Sequence, residues 1–71
     1  MSRYLMIIEA TATGYSAYSP DLPGCVATGR TRQEVEREMR DAIEFYIEGL
    51  RLAGERVPAP RSEASYCEVA A

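Results

Sequence analysis

The chain has 71 residues, a formal net charge of −3 and a sequence pI of about 4.8. A chain this short forms one domain that removes only about 60% of its unfolded surface from water on folding. Two cysteines and no histidine exclude a four-ligand zinc site within one subunit, so no cofactor or metal is predicted. We therefore expect a single domain over residues 1–71 that gains further burial by forming a homo-oligomer, a dimer or higher.

Charge and hydropathy exclude two further classes of function. The eight arginines are interleaved with eleven acidic residues, whereas a protein that binds a phosphate backbone carries a basic cluster, so direct nucleic-acid binding is not expected. The longest apolar run, residues 4–8, is far below the roughly 20 residues that span a bilayer. Without a secretory pattern at the N-terminus, we expect a cytoplasmic protein with reduced thiols. Its acidic surface suits a basic protein partner.

Three strands are predicted before the middle of the chain. Residues 3–10 alternate in a strand pattern that is apolar on both sides, which indicates a strand covered on both faces. Residues 15–19 resume an extended pattern and should pair with the first strand as a hairpin. Pro20 and Pro23 then make a stiff bend, after which residues 25–28 form a short third strand.

A long helix follows the three strands. It begins with the capping box of residues 31–34, in which the threonine hydroxyl and the glutamate carboxylate each satisfy a free amide. Apolar residues recur from Val35 at spacings of three and four, and Gly54 is a natural stop. At roughly 33 Å the helix is longer than an eight-residue strand of roughly 26 Å, so its C-terminal end is expected to overhang the sheet.

The end of the chain is predicted to return to the sheet. Residues 57–60 are a stiff extended connector, and residues 62–69 have the pattern of a last strand. The predicted fold is therefore α+β, with two layers and the order β-β-β-α-β. Because one helix covers only one face of a sheet, we expect the second face to meet another copy of the chain.

The most specific pattern lies between the second and third strands, and we call it the motif loop. Its residues are Tyr18, Pro20, Asp21, Leu22, Pro23, Gly24 and Cys25. With this loop, and with the Thr-started acidic helix that follows it, nearly the whole chain resembles the HicB-like antitoxin family. The resemblance implies a partial ribonuclease H-like fold, with an antiparallel three-stranded meander, one long helix and a final strand.

The resemblance also implies a function. In complete antitoxins of this family, the domain binds and masks a small basic toxin that cleaves messenger RNA, and the toxin supplies the catalytic histidine. Family members usually continue into a C-terminal DNA-binding module, which we do not expect after residues 62–69. We interpret the chain as an antitoxin-type domain that neutralises such a toxin. The alternative is a stand-alone homo-oligomeric structural or regulatory module without a toxin partner.

Catalysis by the chain itself is not expected. Glu9 and Asp21 are the only acids near the strand ends before the helix, and no motif gathers carboxylates around magnesium. Cys25 and Cys67 lack a histidine base and are interpreted as small apolar strand residues. Turn geometry is a sufficient reason for the prolines and the glycine of the motif loop, and Asp21 is expected to hydrogen-bond amides of its own loop.

Two apolar residues fall outside the apolar stripe of the helix. Phe45 and Leu52 are seven positions apart and nearly superposed along the helix axis. Single exposed apolar residues are common, but a domain this short needs further burial. The pair is therefore a candidate interface, either for a toxin or for a second copy of the chain.

Overall fold

Turn residues divide the first half of the chain into three short strands. The computed structural model describes residues 2–71, in which β1 (Ile7–Ala10), β2 (Tyr15–Tyr18) and β3 (Val26–Gly29) precede the helix α1 (Arg32–Leu52). The strands form one antiparallel sheet in the order β1-β2-β3. The predicted α+β class, with a three-stranded meander followed by one long helix, is confirmed.

The paired part of β1 is shorter than the predicted strand over residues 3–10. Ile7 lies opposite Tyr18, the last residue of β2. If this register continued, Leu5 would lie opposite Pro20, which has no N–H to donate to the ladder. The proline therefore ends the pairing, and the residues before Ile7 have no strand beside them.

The start of α1 has the predicted capping residues with one change in the bonding. Thr31 is the N-cap, and its hydroxyl accepts a hydrogen bond from the N–H of Glu34 at 3.0 Å. The Glu34 carboxylate accepts from the N–H of Arg30 at 3.2 Å, one residue before the N-cap. The first bond satisfies an amide that the first helical turn leaves free, and the second satisfies an amide just before the helix.

The helix ends in a Schellman arrangement around the predicted glycine. Gly54 has a φ of 72°, in the left-handed region that favours glycine. The N–H of Glu55 then donates to the carbonyl oxygen of Leu50 at 2.9 Å. Tyr46 is the last helical residue that packs on the buried core. Residues 47–52 therefore extend past the core, in agreement with the predicted overhang.

The hydrophobic core lies between α1 and one face of the sheet. Its buried members are Ala17, Leu22, Cys25, Val35 and Met39. Gly29 allows the helix to come this close, because a Cβ there would lie 2.7 Å from the backbone nitrogen of Val35. A side chain at this position would push α1 away from β3.

The other face of the sheet carries an apolar row that α1 does not cover. Tyr18 lies opposite Ile7 on one side and opposite Val26 on the other. Because side chains alternate along strands, all three point away from the helix. Tyr18 is 39% exposed and Val26 is 65% exposed. The coverage of this face by a second copy stays a prediction.

The segment after α1 forms no strand within residues 2–71. The prediction of a fourth strand over residues 62–69 is therefore wrong for the single chain. Extended backbone becomes a strand only when a neighbouring strand pairs its N–H and C=O groups. Residues 63–71, which we call the tail, are all exposed and have no such neighbour.

Candidate functional site

The motif loop consists of two successive β-turns that share one residue. The N–H of Leu22 donates to the carbonyl oxygen of Ser19 at 3.1 Å, and the N–H of Cys25 donates to the carbonyl oxygen of Leu22 at 3.0 Å. Pro20 and Pro23 each occupy the second position of a turn, where their fixed φ is favourable. The second turn closes through a residue with positive φ, and turn geometry accounts for both prolines.

The positive φ belongs to Gly24, at 81°, as the third position of a type II turn requires. The loop also fills one end of the core. Leu22 is fully buried and Cys25 is buried, and this burial raises the pKa of the Cys25 thiol. The Ser19 hydroxyl is buried too, and it has no hydrogen-bond partner among the described residues. Backbone turns and side-chain burial thus act together in this loop.

Asp21 forms the longest-range polar contact of the motif loop. One carboxylate oxygen, Oδ2, accepts from the backbone N–H groups of Arg61 at 2.8 Å and Ser62 at 2.9 Å. The other oxygen, Oδ1, accepts from the Ser62 hydroxyl at 3.0 Å. These donors, the Arg61 amide first, lower the pKa of Asp21 below its usual value. The prediction that Asp21 bonds within its own loop is therefore wrong, because its partners lie in the distant C-terminal segment.

A second contact holds the connector beside the first strand. The Tyr4 hydroxyl donates to the carbonyl oxygen of Pro58 at 2.5 Å. Together with the Asp21 bonds, it fixes the chain on both sides of residues 59–60. The start of the tail therefore has a defined place beside the N-terminal segment.

The exposed side of α1 is acidic around its two apolar residues. Phe45 is 82% exposed and Leu52 is 80% exposed. At about 100° per residue, Glu38, Asp41 and Glu48 project within about 50° of the mean direction of this pair. Arg37 projects about 20° from Glu48, at the border of this side, whereas Arg32, Arg40 and Arg51 project more than 100° from the mean direction. We call Phe45, Leu52, Glu38, Asp41 and Glu48 the acidic stripe.

An open groove separates residues 2–6 from residues 60–64, where the tail begins; we call residues 60–62 the root of the tail. The groove has a volume of about 880 Å³, and its walls are residues 2–6, Ile8, residues 60–64 and the first turns of α1. From α1 it is lined by Arg32 and Glu36, whose side chains form an exposed ion pair at 3.5 Å. Of β1, Ile8 lines the groove, and the rest of this wall is the segment that precedes β1.

Among residues 2–71, no three Asp, Glu, His or Cys side chains gather to hold a metal ion. Glu9 lies opposite Ser16 inside the hairpin, whereas Asp21 lies beyond the other end of β2. Cys67 is exposed and lies outside the strands, so its interpretation as an apolar strand residue is wrong for the single chain. The described residues include no helix with the length and apolar character that a membrane crossing requires.

Sequence and structure comparisons agree on one family of proteins. The family model described as a HicB-like antitoxin of bacterial toxin–antitoxin systems matches residues 4–70. A UPF0150 protein of Thermoplasma acidophilum is 36% identical over 62 residues, which cover 86% of this chain and 90% of that protein. A UPF0150 protein of Synechocystis is 36% identical over 61 residues, covering 84% of this chain and 75% of that protein.

A solved structure has the same fold. A chain of the HicA3 and HicB3 toxin–antitoxin complex superposes with a TM-score of 0.73 at 30% sequence identity. The match covers 84% of this chain and 70% of that chain. Sequence and fold therefore lead to the same group of proteins.

Proposed function

Because the chain belongs to the HicB-like antitoxin family of bacterial toxin–antitoxin systems, we propose that it neutralises a small basic RNA-cleaving toxin by covering the toxin's active site. The observation that carries this proposal is the acidic stripe, which combines two exposed apolar side chains with three carboxylates on one side of α1. In this role the chain acts by binding, without chemistry of its own.

The apolar members of the stripe supply the surface to be buried. Phe45 and Leu52 leave most of their side chains in water in the single chain, and each gains free energy when a partner removes that area from water. Large aromatic anchors near the centre of an interface often carry much of its binding energy. Phe45 is therefore the side chain whose loss should weaken the complex most.

The carboxylates supply the selectivity for a basic partner. A toxin that cleaves RNA needs cationic side chains to hold phosphates. Glu38, Asp41 and Glu48 present negative charge to such a surface, which accelerates encounter and competes with RNA for the same cations. The helical overhang leaves Glu48 and Leu52 beyond the edge of the core, where a partner can approach them.

The test is co-expression with a HicA-type toxin from the same organism, with cell growth and the affinity of the purified pair as readouts. We expect the wild-type chain to restore growth, and the Phe45→Glu, Leu52→Glu double variant to lose both rescue and binding. Arg40→Glu is the matched control, because it also adds negative charge to an exposed position of α1 but on another side of the helix. Unchanged binding by the double variant would refute the assignment of the stripe.

A second candidate is a stand-alone homo-oligomeric structural or regulatory module. It is supported by the Thermoplasma acidophilum relative, of which this domain covers 90%. Affinity purification from cells of the source organism, followed by mass spectrometry, separates the two. Recovery of a small basic protein with the chain supports the antitoxin role, whereas recovery of the chain alone supports the stand-alone module.

A further inference from the structure

The exposed tail begins at one wall of the open groove, close to the segment that precedes β1. We propose that two copies of the chain exchange their tails, so that residues 63–69 of each copy pair as a fourth strand with the free edge of β1 in the other. The exchange requires no toxin and goes beyond the proposed antitoxin role.

The first argument is the free edge. Within residues 2–71, β1 pairs with β2 on one side only, so its other side presents unpaired N–H and C=O groups. Such an edge is a template for a strand from another chain unless it is covered or blocked by proline or a bulge. The residues before Ile7 extend this edge and line the open groove of about 880 Å³. Neighbouring strands need a separation of only about 4.8 Å.

The second argument is the tail itself. Tyr66 is 96% exposed and Val69 is 74% exposed, although both are residue types favoured in strands. Neither side chain finds burial in its own chain. Residues 63–69 span roughly 23 Å when extended, close to the roughly 26 Å of residues 3–10. The tail can therefore pair along nearly the whole free edge.

The third argument is the fixed root of the tail. Asp21 holds the backbone of Arg61 and Ser62, whereas every residue from 63 onwards is exposed. The chain thus leaves the domain from a defined point beside the groove without filling it. In a dimer with a two-fold axis, each tail would reach the β1 edge of the other copy. The two contacts would then be identical.

Charge favours the same exchange. Arg3 lies in the segment that extends the β1 edge, while the tail carries Glu63 and Glu68. The charge of Arg32, on the α1 wall of the groove, is already paired with Glu36. An arginine on the edge and acidic residues on the incoming strand favour pairing of opposite charges across the ladder. Intermolecular pairing would also cover an edge that otherwise invites uncontrolled association.

The first experiment is light scattering on the purified full chain. We expect a mass twice the 7.9 kDa of one chain. Ser65→Pro removes a ladder N–H from the middle of the segment without removing an apolar side chain, and it should give a monomer with an unchanged helical circular dichroism signal. Ala70→Pro, just past the segment, is the matched control and should stay dimeric. A monomeric wild type, or a dimeric Ser65→Pro variant, would overturn the proposal.

The second experiment distinguishes strand exchange from an ordinary dimer. A Glu9→Cys, Cys67→Ser variant carries a thiol on β1 and none on the tail. It is unfolded and refolded together with the wild type, whose Cys67 is exposed in the single chain, and then treated with a short bismaleimide. Exchange predicts a covalent dimer on a denaturing gel. A separate measurement uses a Glu9→Cys variant that keeps Cys67. If the reagent cross-links this variant only within single chains, the proposal is overturned. Because no toxin is present, neither result depends on the antitoxin role.

Discussion

The Asp21 carboxylate accepts a hydrogen bond from the backbone N–H of Ser62 at 2.9 Å, across 41 positions of the chain. The bond joins the motif loop to the root of the tail. The two turns that place Asp21 are closed by backbone bonds of Leu22 and Cys25, so the position of the carboxylate follows from the proline and glycine pattern of the loop. The motif loop therefore determines where the C-terminal segment leaves the domain.

This bond makes stability depend on pH. The N–H donors of Arg61 and Ser62 lower the pKa of Asp21 in the folded chain below its usual value of 3.8. The contribution to stability is therefore fully present above about pH 4 and is lost as the pH falls through the lowered pKa. Asp21→Asn should lower the thermal midpoint at pH 7 and weaken its dependence on pH below about 4.

Thermal unfolding monitored by circular dichroism between neutral and acidic pH measures this effect. Hydrogen exchange at the amides of Arg61 and Ser62 should become faster in the Asp21→Asn variant. Asp41→Asn is the control, because Asp41 is an exposed carboxylate on α1 that makes no hydrogen bond among the described residues. If Asp21→Asn and the wild type show the same pH dependence, the Asp21 bonds do not contribute to stability in solution.

Leu22 should be essential to the core although it lies in a loop. Its side chain is 0% exposed, and deletion of a buried leucine side chain typically costs about 2–5 kcal/mol. This is a large share of the roughly 5–15 kcal/mol that stabilises a typical domain. Leu22→Ala should therefore shift urea unfolding to a much lower midpoint. Leu52→Ala is the matched control, since Leu52 is 80% exposed, and it should change stability by no more than about 0.5 kcal/mol.

Local sequence signals predicted the parts of the fold that depend on local bonds. Thr31 and Gly54 bound the helix because a capping hydroxyl and a left-handed glycine act on amides and carbonyls within a few residues. The period of the helix separated Phe45 and Leu52 from the core stripe for the same reason. Both residues are exposed as that pattern indicated.

Features that depend on contacts between distant segments could not be predicted from these local signals. The early end of the β1 pairing depends on Pro20, which belongs to the neighbouring strand's continuation. The bond between Asp21 and Ser62 links segments that share no periodicity, and aspartate in a turn more often bonds its own loop. Residues 62–69 have the composition of a strand, but composition does not identify the chain that supplies the pairing edge.

The Ser19 hydroxyl should be dispensable for stability. Its side chain is 3% exposed, and its oxygen has no hydrogen-bond partner among the described residues. A buried hydroxyl without a partner has lost its bonds to water and receives no compensation. Ser19→Ala should raise the free energy of unfolding by about 1 kcal/mol, measured by urea titration. Ser65→Ala, at an exposed position, should have almost no effect. A destabilised Ser19→Ala variant would show that the hydroxyl is bonded in solution.

The Cys25 thiol should report on opening of the core. Burial raises the pKa of Cys25 above its usual value of 9.0, so the folded chain keeps the thiol protonated in a range where the unfolded chain ionises it. The resulting stability is fully present below about pH 9 and is lost as the pH rises through the raised pKa.

In a Cys67→Ser variant, Cys25 is the remaining thiol. It should react with a disulfide reagent in urea but very slowly in buffer, because the thiolate is the reactive form. The absorbance of the released thiolate follows both reactions, and Cys67→Ser combined with Leu22→Ala should react faster in buffer. Rapid modification of the folded Cys67→Ser variant would contradict the closed packing of Cys25 beneath the motif loop.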